Sequence, residues 1–383
     1  MRILHLGKFY PPHAGGVERH LADLAAAQVQ SGLDVAALVH AAPGDLRGYR
    51  RRDPQGVAVQ ALPCWGQAVF VPISPSWPVH LGRALREFKP DLLHLHVPNP
   101  SAYWALLSRA SRRLPWVVHW HADIPDDSRQ LGLRLGYPVY RRFEHALNAR
   151  AARIVATSPA YLAASRALAP WQARCRVIPL GMPEAGAAGP APLWPGAGLR
   201  LLAVGRLSYY KGFDVLLDAL AQVPEASLLL VGEGEQRRAL ESRITDLGLR
   251  SRVRLAGHLD DATLEAAYRA CDLFCLPSVD RAEAFGLVLL EAMRAGKPVL
   301  ASDIPGSGVG TVVVDGETGL KVPPRDATAL AVALRGLAAD ASLRAALGAA
   351  GRDRFEHHYR IDAVTRQWTA LYREVLSDPP TAR

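Results

Sequence analysis

Short apolar runs alternate with amphipathic segments along almost the whole chain, and few folds tolerate that pattern. Runs over 2–7, 34–40, 57–63, 91–97, 115–121, 153–158 and 175–181 read as strands. Segments between them, such as VERHLADLAAAQVQSG, PVHLGRALREF and the stretch 128–150, carry helical spacing. Strands separated by helices predict a parallel sheet covered on both faces. Residues 182–198, MPEAGAAGPAPLWPGAG, have no period and are rich in Gly, Pro and Ala, so they read as a linker. The alternation then restarts at 199–206, 227–234, 253–257, 272–278 and 298–303, with a short run inside 312–322. From Asp326 onward only helical patterns remain, over 326–338, 340–356 and 360–376.

The expected fold class is therefore α/β, with two doubly wound parallel-sheet domains facing each other across a cleft. The domains are 1–181 and 199–359, joined by 182–198, with 360–383 as a C-terminal helix returning to the first domain. The 383 residues fit this division, because a single core stops growing near roughly 250–300 residues. Ligands of such sheets bind at the carboxyl ends of the strands.

No apolar run approaches the ~20 residues of a membrane-crossing helix. The opening MRILHLGKFYPPHAGG reads as a buried strand rather than a secretory leader. A cytoplasmic location is expected. Cys64, Cys175, Cys271 and Cys275 are scattered and read as buried thiols. The formal charge is +9, unevenly spread: residues 1–180 hold 22 basic against 11 acidic residues, the remainder 23 against 25. Arg50, Arg51 and Arg52, then Arg109, Arg112 and Arg113, then Arg141 and Arg142 form basic stretches. Two readings stand. One is a solvated surface in a chain with only five lysines. The other is attraction to an anionic surface, either membrane phospholipid or a lipid diphosphate. No nucleic-acid recognition motif accompanies the charge.

Four motifs carry chemistry. In EAFGLVLLEAMRAGKPV, Glu283 and Glu291 stand eight residues apart, with Ala284, Phe285, Gly286 and Leu287 opening a helix after a strand. Free amides at a helix start suit an anion, and carboxylates suit hydroxyls; a phosphorylated sugar presents both. An ordinary capped helix is the plainer alternative. In VGRLSYYKGFD, Arg206 follows Gly205 at a strand end and Lys211 comes five residues later. Two cations at one strand edge neutralise a diphosphate, unless they are simply surface charges. In PPHAGGVERH, Gly15 and Gly16 form a turn between the first strand and the first helix, where backbone can approach a ligand. In VVHWHADI, alternation puts His119 and His121 on one sheet face. His119 reads as a core histidine and His121 as a residue at the cleft mouth. His94 and His96 share their spacing, but no metal site is expected.

Together these residues resemble the retaining glycosyltransferases of family four, which have the two-Rossmann-domain GT-B fold. The resemblance covers nearly the whole chain: GGVE, HADI, GRLSYYKG, EAFGLVLLE, AMRAGKPVLASD and DGETGLKVPPRD. It implies that Glu283 contacts hydroxyls of the transferred sugar and that Phe285, Gly286 and Leu287 offer amides. Glu291 would hold the ribose, and Arg206 and Lys211 the diphosphate. Gly16 would approach the phosphates, and His121 would lie beside the reacting sugar. The segments around Gly232, Glu233 and Gly234, and around Gly257 and His258, would line the nucleobase pocket. Departures are Ala284, where many members have Gly or another small residue, and SDIPGSGVG in place of a Gly-Gly pair. The second of these, with HADI, is closer to a subgroup that includes mannosyltransferases of bacterial surface polysaccharides.

The implied reaction is a retaining hexosyl transfer from a nucleoside diphosphate sugar, GDP-mannose ahead of a UDP-sugar. The acceptor would be a glycan or a polyprenyl-diphosphate-linked glycan at the inner membrane face. No D-x-D motif is present, in keeping with metal-independent catalysis and no cofactor beyond the donor. The rival readings are a sugar-nucleotide epimerase of the same fold and a non-catalytic glycosyltransferase-like subunit.

Overall fold

The computed structural model describes residues 1–13, 15–68, 71–124 and 131–377, with the side chains of the last segment described from 136. The chain divides into two compact units. The first holds strands β1 (Arg2–Leu6), β2 (Asp34–His40), β3 (Tyr49–Arg52), β4 (Ala58–Leu62), β5 (Gly66–Ala68), β6 (Val71–Ile73), β7 (Leu92–Val97), β8 (Trp116–Trp120), β9 (Arg153–Ala156) and β10 (Cys175–Val177). Its main sheet has the order β10-β9-β8-β7-β1-β2-β4-β3. Every pairing is parallel except β3 with β4. The strand order reverses between β1 and β7, each in register with the other at His5 and His94.

The second unit holds β11 (Leu199–Val204), β12 (Ala226–Val231), β13 (Val253–Gly257), β14 (Leu273–Leu276), β15 (Val299–Ser302) and β16 (Leu320–Val322). Its order is β13-β12-β11-β14-β15-β16, all parallel, with the reversal between β11 and β14. Leu201, Leu228 and Leu273 from neighbouring strands pack with Leu216, Leu330 and Leu334 from helices. Central strands covered on both faces need apolar residues at every position, and SLLLV and LFCL supply them. Asp326 and Asp340 start two helices by accepting from the amides of Ala329 and Leu343, each at 2.8 Å.

Differences from the sequence reading have local causes. The triplet Arg50–Arg52 lies on β3, an antiparallel edge strand whose YRRR sequence has no apolar face to announce it. The β5–β6 hairpin was likewise unmarked. Strands expected over 175–181 and 153–158 end at Val177 and Ala156. The helix expected over 128–150 spans Leu131–Arg150, and residues 128–130 lie outside the described residues. Met182 groups with the first unit, and Ser158–Ala164 with the second, which otherwise spans Pro183–Arg360.

The helix Ile361–Ser377 belongs to the first unit, although it follows the second in sequence. Val364, Thr365, Trp368, Leu371, Tyr372 and Val375 form its buried stripe at helical spacing. Trp368 and Tyr372 are fully buried with Ile3, Leu92, Val117 and Val155. All four cysteines are buried and free.

Candidate active site

In the second unit the loops after β11 and β14 flank the reversal point. Gly205 takes the chain out of β11, and a short turn over Tyr209–Lys211 leads to Gly212. Gly212 has φ 64°, and a side chain there would also run into the Pro277 carbonyl beyond β14. This close passage turns Lys211 inward. Its Nζ donates to Glu283 Oε2 at 2.6 Å, and both residues are only 7% exposed. Ser278 Oγ donates to the same oxygen at 2.9 Å, and Ser307 Oγ donates to the Glu283 carbonyl. Burial alone would pull the Lys211 ammonium down. The adjoining Glu283 carboxylate outweighs it, so its pKa stands above that of an ordinary lysine and the group is a cation at neutral pH.

Glu283 precedes the turn that starts helix Leu287–Arg294. Gly286 caps it with φ 82°, Phe285 is buried, and the Ala284 carbonyl accepts from Gly308 N at 2.8 Å. The first amides of a helix have no partner in a preceding turn, and here Leu289 N already donates to the Gly286 carbonyl at 2.9 Å. Glu291 lies in this helix and accepts from Tyr268 OH at 2.7 Å. Burial, then the Glu291 carboxylate, raises the Tyr268 phenol well above its usual range and keeps it a donor. Lys211 also feels the Glu291 charge, so one buried cation answers two carboxylates.

Arg206 behaves differently from Lys211. Its side chain is 72% exposed and meets Glu235 at 3.4 Å, so the two expected clamp residues have separate partners. A Cβ at Gly232 would collide with the Gly205 carbonyl, and one at Gly234 with that of Leu207. Leu207 N donates to Glu233 O at 2.9 Å, so these two loops touch through bare backbone. The Glu233 carboxylate pairs with Arg237 at 2.9 Å and lies against Gly257, which has φ 71°. His258 is exposed.

In the first unit, Gly15 and Gly16 are exposed where helix Gly16–Gln30 begins. His121 is the residue after β8 and is buried. It belongs to a cluster of six buried histidines: His5, His20, His94, His96, His119 and His121. His119, expected in the core, is fully buried there. Burial lowers His5 and His20 to about 4. Burial and then the neighbouring rings hold His94, His96, His119 and His121 well below their usual value. All six are therefore neutral at neutral pH. Two triplets, His5 with His94 and His96 and His96 with His119 and His121, bring three ring nitrogens within 4.8 Å of one another, which is where a metal would find ligands. Within them, His5 and His96 nitrogens stand 2.9 Å apart and His96 and His121 nitrogens 3.0 Å, as hydrogen-bonded pairs do.

Ser278, Ser307 and Tyr268, which hold the two glutamates, escaped the sequence reading, as did His5, His20 and Gln28. Ser278 had a signal in its place just after a strand. The others are joined to the site only by register and by helix packing.

A carboxylate-held cation, a helix start and glycine-lined loops stand at the carboxyl ends of a doubly wound parallel sheet, where α/β proteins of this class bind their ligands. Comparison with known proteins makes this specific. Residues 15–181 match the glycosyl transferase 4-like domain, and 191–354 match glycosyl transferases group 1. The D-rhamnosyltransferase WbpZ of Pseudomonas aeruginosa is 31% identical over 98% of this chain and 92% of its own. A phosphatidyl-myo-inositol mannosyltransferase of Mycolicibacterium smegmatis is 31% identical over 94% and 90%, and the O-antigen chain mannosyltransferase C of Escherichia coli 28% over 98% and 99%. The sucrose-phosphate synthase structure of Thermosynechococcus elongatus superposes with a TM-score of 0.79 at 24% identity, covering 98% and 99% of the two chains. The chain belongs to the group 1, family-four-like glycosyltransferases and has their GT-B fold of two doubly wound parallel-sheet units.

Proposed function

We propose that this glycosyltransferase moves a hexose, mannose before others, from a nucleoside diphosphate sugar to a glycan or lipid-linked glycan, with retention at the anomeric carbon. GDP-mannose is the first choice of donor and a UDP-sugar the second. The observation that carries the proposal is the buried Lys211–Glu283 pair at the reversal point of the second sheet. It sets a fixed cation for a departing diphosphate beside a carboxylate for sugar hydroxyls. The mannosyl and rhamnosyl transfers named in relatives support a hexose donor.

In the proposed step the anomeric carbon–oxygen bond to the diphosphate breaks as the acceptor oxygen bonds to that carbon on the same face. The acceptor's proton passes to a phosphate oxygen. Lys211 and the amides opening helix Leu287–Arg294 stabilise the charge that builds on the leaving group, so the step uses no metal ion. Arg206 swings from Glu235 to the diphosphate, which its exposure permits. Glu291 takes the ribose hydroxyls, and the Gly232–Gly234 and Gly257–His258 loops take the base. In the first unit we assign the sugar contact to His121 and the close phosphate approach to Gly16.

A thermal-shift comparison of UDP, GDP and ADP tests the donor. With all three at one concentration GDP should give the largest shift, about 2.7 kcal/mol where that concentration is 100 times its dissociation constant. A larger shift with UDP would transfer the assignment to a UDP-sugar, and no shift with any of the three would sink the nucleotide reading.

The acceptor is proposed to be met at an anionic membrane face. Among the described residues, no helix is long and apolar enough to cross a membrane. Trp104, Leu107, Val139 and Phe143 are instead exposed on two helices of the first unit, and Arg141 and Arg142 lie exposed beside the last two. Apolar side chains flanked by arginines suit an interfacial contact. Co-sedimentation with phosphatidylglycerol vesicles should exceed that with phosphatidylcholine and fall on Leu107→Glu; equal recovery with both lipids would remove the membrane from the proposal.

A further inference from the structure

Five of the six clustered histidines are linked in one series of hydrogen bonds. His121 Nε2 meets His96 Nδ1 at 3.0 Å, and His96 Nε2 meets His5 Nδ1 at 2.9 Å. His5 Nε2 meets Gln28 Oε1 at 2.8 Å, and Gln28 Nε2 donates to Tyr372 OH at 2.9 Å. Tyr372 OH meets His94 Nδ1 at 2.6 Å, and His94 Nε2 meets His119 Nδ1 at 3.3 Å. Of the ring nitrogens in this series, only the two ends, His121 Nδ1 and His119 Nε2, lack a partner among the described residues. His20 stands beside it, its Nδ1–H donating to the Gly181 carbonyl at 3.1 Å.

A neutral imidazole carries one N–H, so one nitrogen donates and the other accepts. Each ring therefore dictates the tautomer of the next. Gln28 fixes the sense at the centre. With its carbonyl toward His5, His5 Nε2 donates, His96 Nε2 donates to His5, and His121 Nε2 donates to His96. His121 Nδ1 is left as a bare lone pair. On the other arm the Gln28 amide donates to Tyr372, Tyr372 donates to His94, and His94 donates to His119, leaving His119 Nε2–H. Turning the amide over reverses all six bonds. In either sense, one end holds a proton and the other a lone pair.

We infer that Gln28 and Tyr372 are positioning residues that select the tautomer of His121 through this series, and so decide whether its free nitrogen accepts from or donates to the sugar. This rests on the assignment of His121 to the sugar made above. Its position supports it: His121 is the one histidine of the series beyond the carboxyl end of its strand, where ligands of such sheets bind, while His94, His96 and His119 lie within strands.

Nitrogen-15 NMR of the full-length protein, labelled at histidine, reports which ring nitrogen carries each proton. One and only one of His119 Nε2 and His121 Nδ1 should be protonated; both or neither would overturn the inference. In Gln28→Glu the carboxylate accepts from both arms, so at least one end ring should exchange its protonated nitrogen, and unchanged tautomers would count against the series. Tyr372→Phe keeps the ring and cuts the centre. It should lower kcat ~10-fold, with the donor KM within about twofold; an unchanged kcat would overturn the positioning role. His121→Ala measured alongside separates the two layers, because full activity there removes the sugar contact while the NMR coupling still stands or falls by itself. Stoichiometric zinc in protein purified without added metal would also overturn it, since a metal would replace the N–H···N bonds.

Discussion

Lys211→Ala should lower turnover ~100-fold or more, the loss of about 2.7–4 kcal/mol expected when one donor to a developing anion is removed. The same substitution should reduce stability, because it strands the Glu283 carboxylate at a buried position with only Ser278 to answer it. Breaking a buried ion pair from one side costs about 3–5 kcal/mol. The two effects separate in a double variant. Lys211→Met with Glu283→Leu removes both charges and should melt near the parental temperature while remaining inactive. Turnover close to parental in folded Lys211→Ala would end the phosphate role. A double variant that regained activity would show that the single variant had failed only by unfolding.

Trp368→Ala should have the largest effect on stability in the first unit. Trp368 is fully buried among Ile3, Leu92, Val117 and Val364, and its removal should cost about 3–5 kcal/mol. For a unit of this size, that lowers the melting temperature by roughly 6–20 °C. Calorimetry should show the loss in one transition, that of the first unit, with the second little changed. A shift of under a degree would mean that the final helix is not integral to the first core.

The parts of the fold that were legible are those where one residue type does one job. Apolar runs such as SLLLV had no place to go except the middle of a sheet, and Asp326 and Asp340 marked helix starts within a residue. Glu283 and Lys211 were readable as chemistry, because a carboxylate before a helix start and a lysine after a strand are exposed to inspection in the sequence. Their direct pairing was not, since 72 residues separate them and only the packing of two loops joins them. Gly232 was read as a ligand contact, while its most immediate constraint is the carbonyl of Gly205 pressed against it. The histidine series was illegible for a similar reason. Its period-two spacing on each strand is plain, but which strands are neighbours depends on a strand order in which β1 adjoins β7.

The return of Ile361–Ser377 to the first unit has a consequence for synthesis. A ribosome delivers β1 before the second unit and Trp368 after it, so Pro183–Arg360 can close on itself as it emerges, whereas the N-terminal sheet must wait with Ile3, Leu92 and Val117 uncovered. That wait leaves apolar surface of the nascent first sheet exposed until Trp368 arrives. It also makes loss of Ile361–Ser377 more damaging than the length of that one helix suggests.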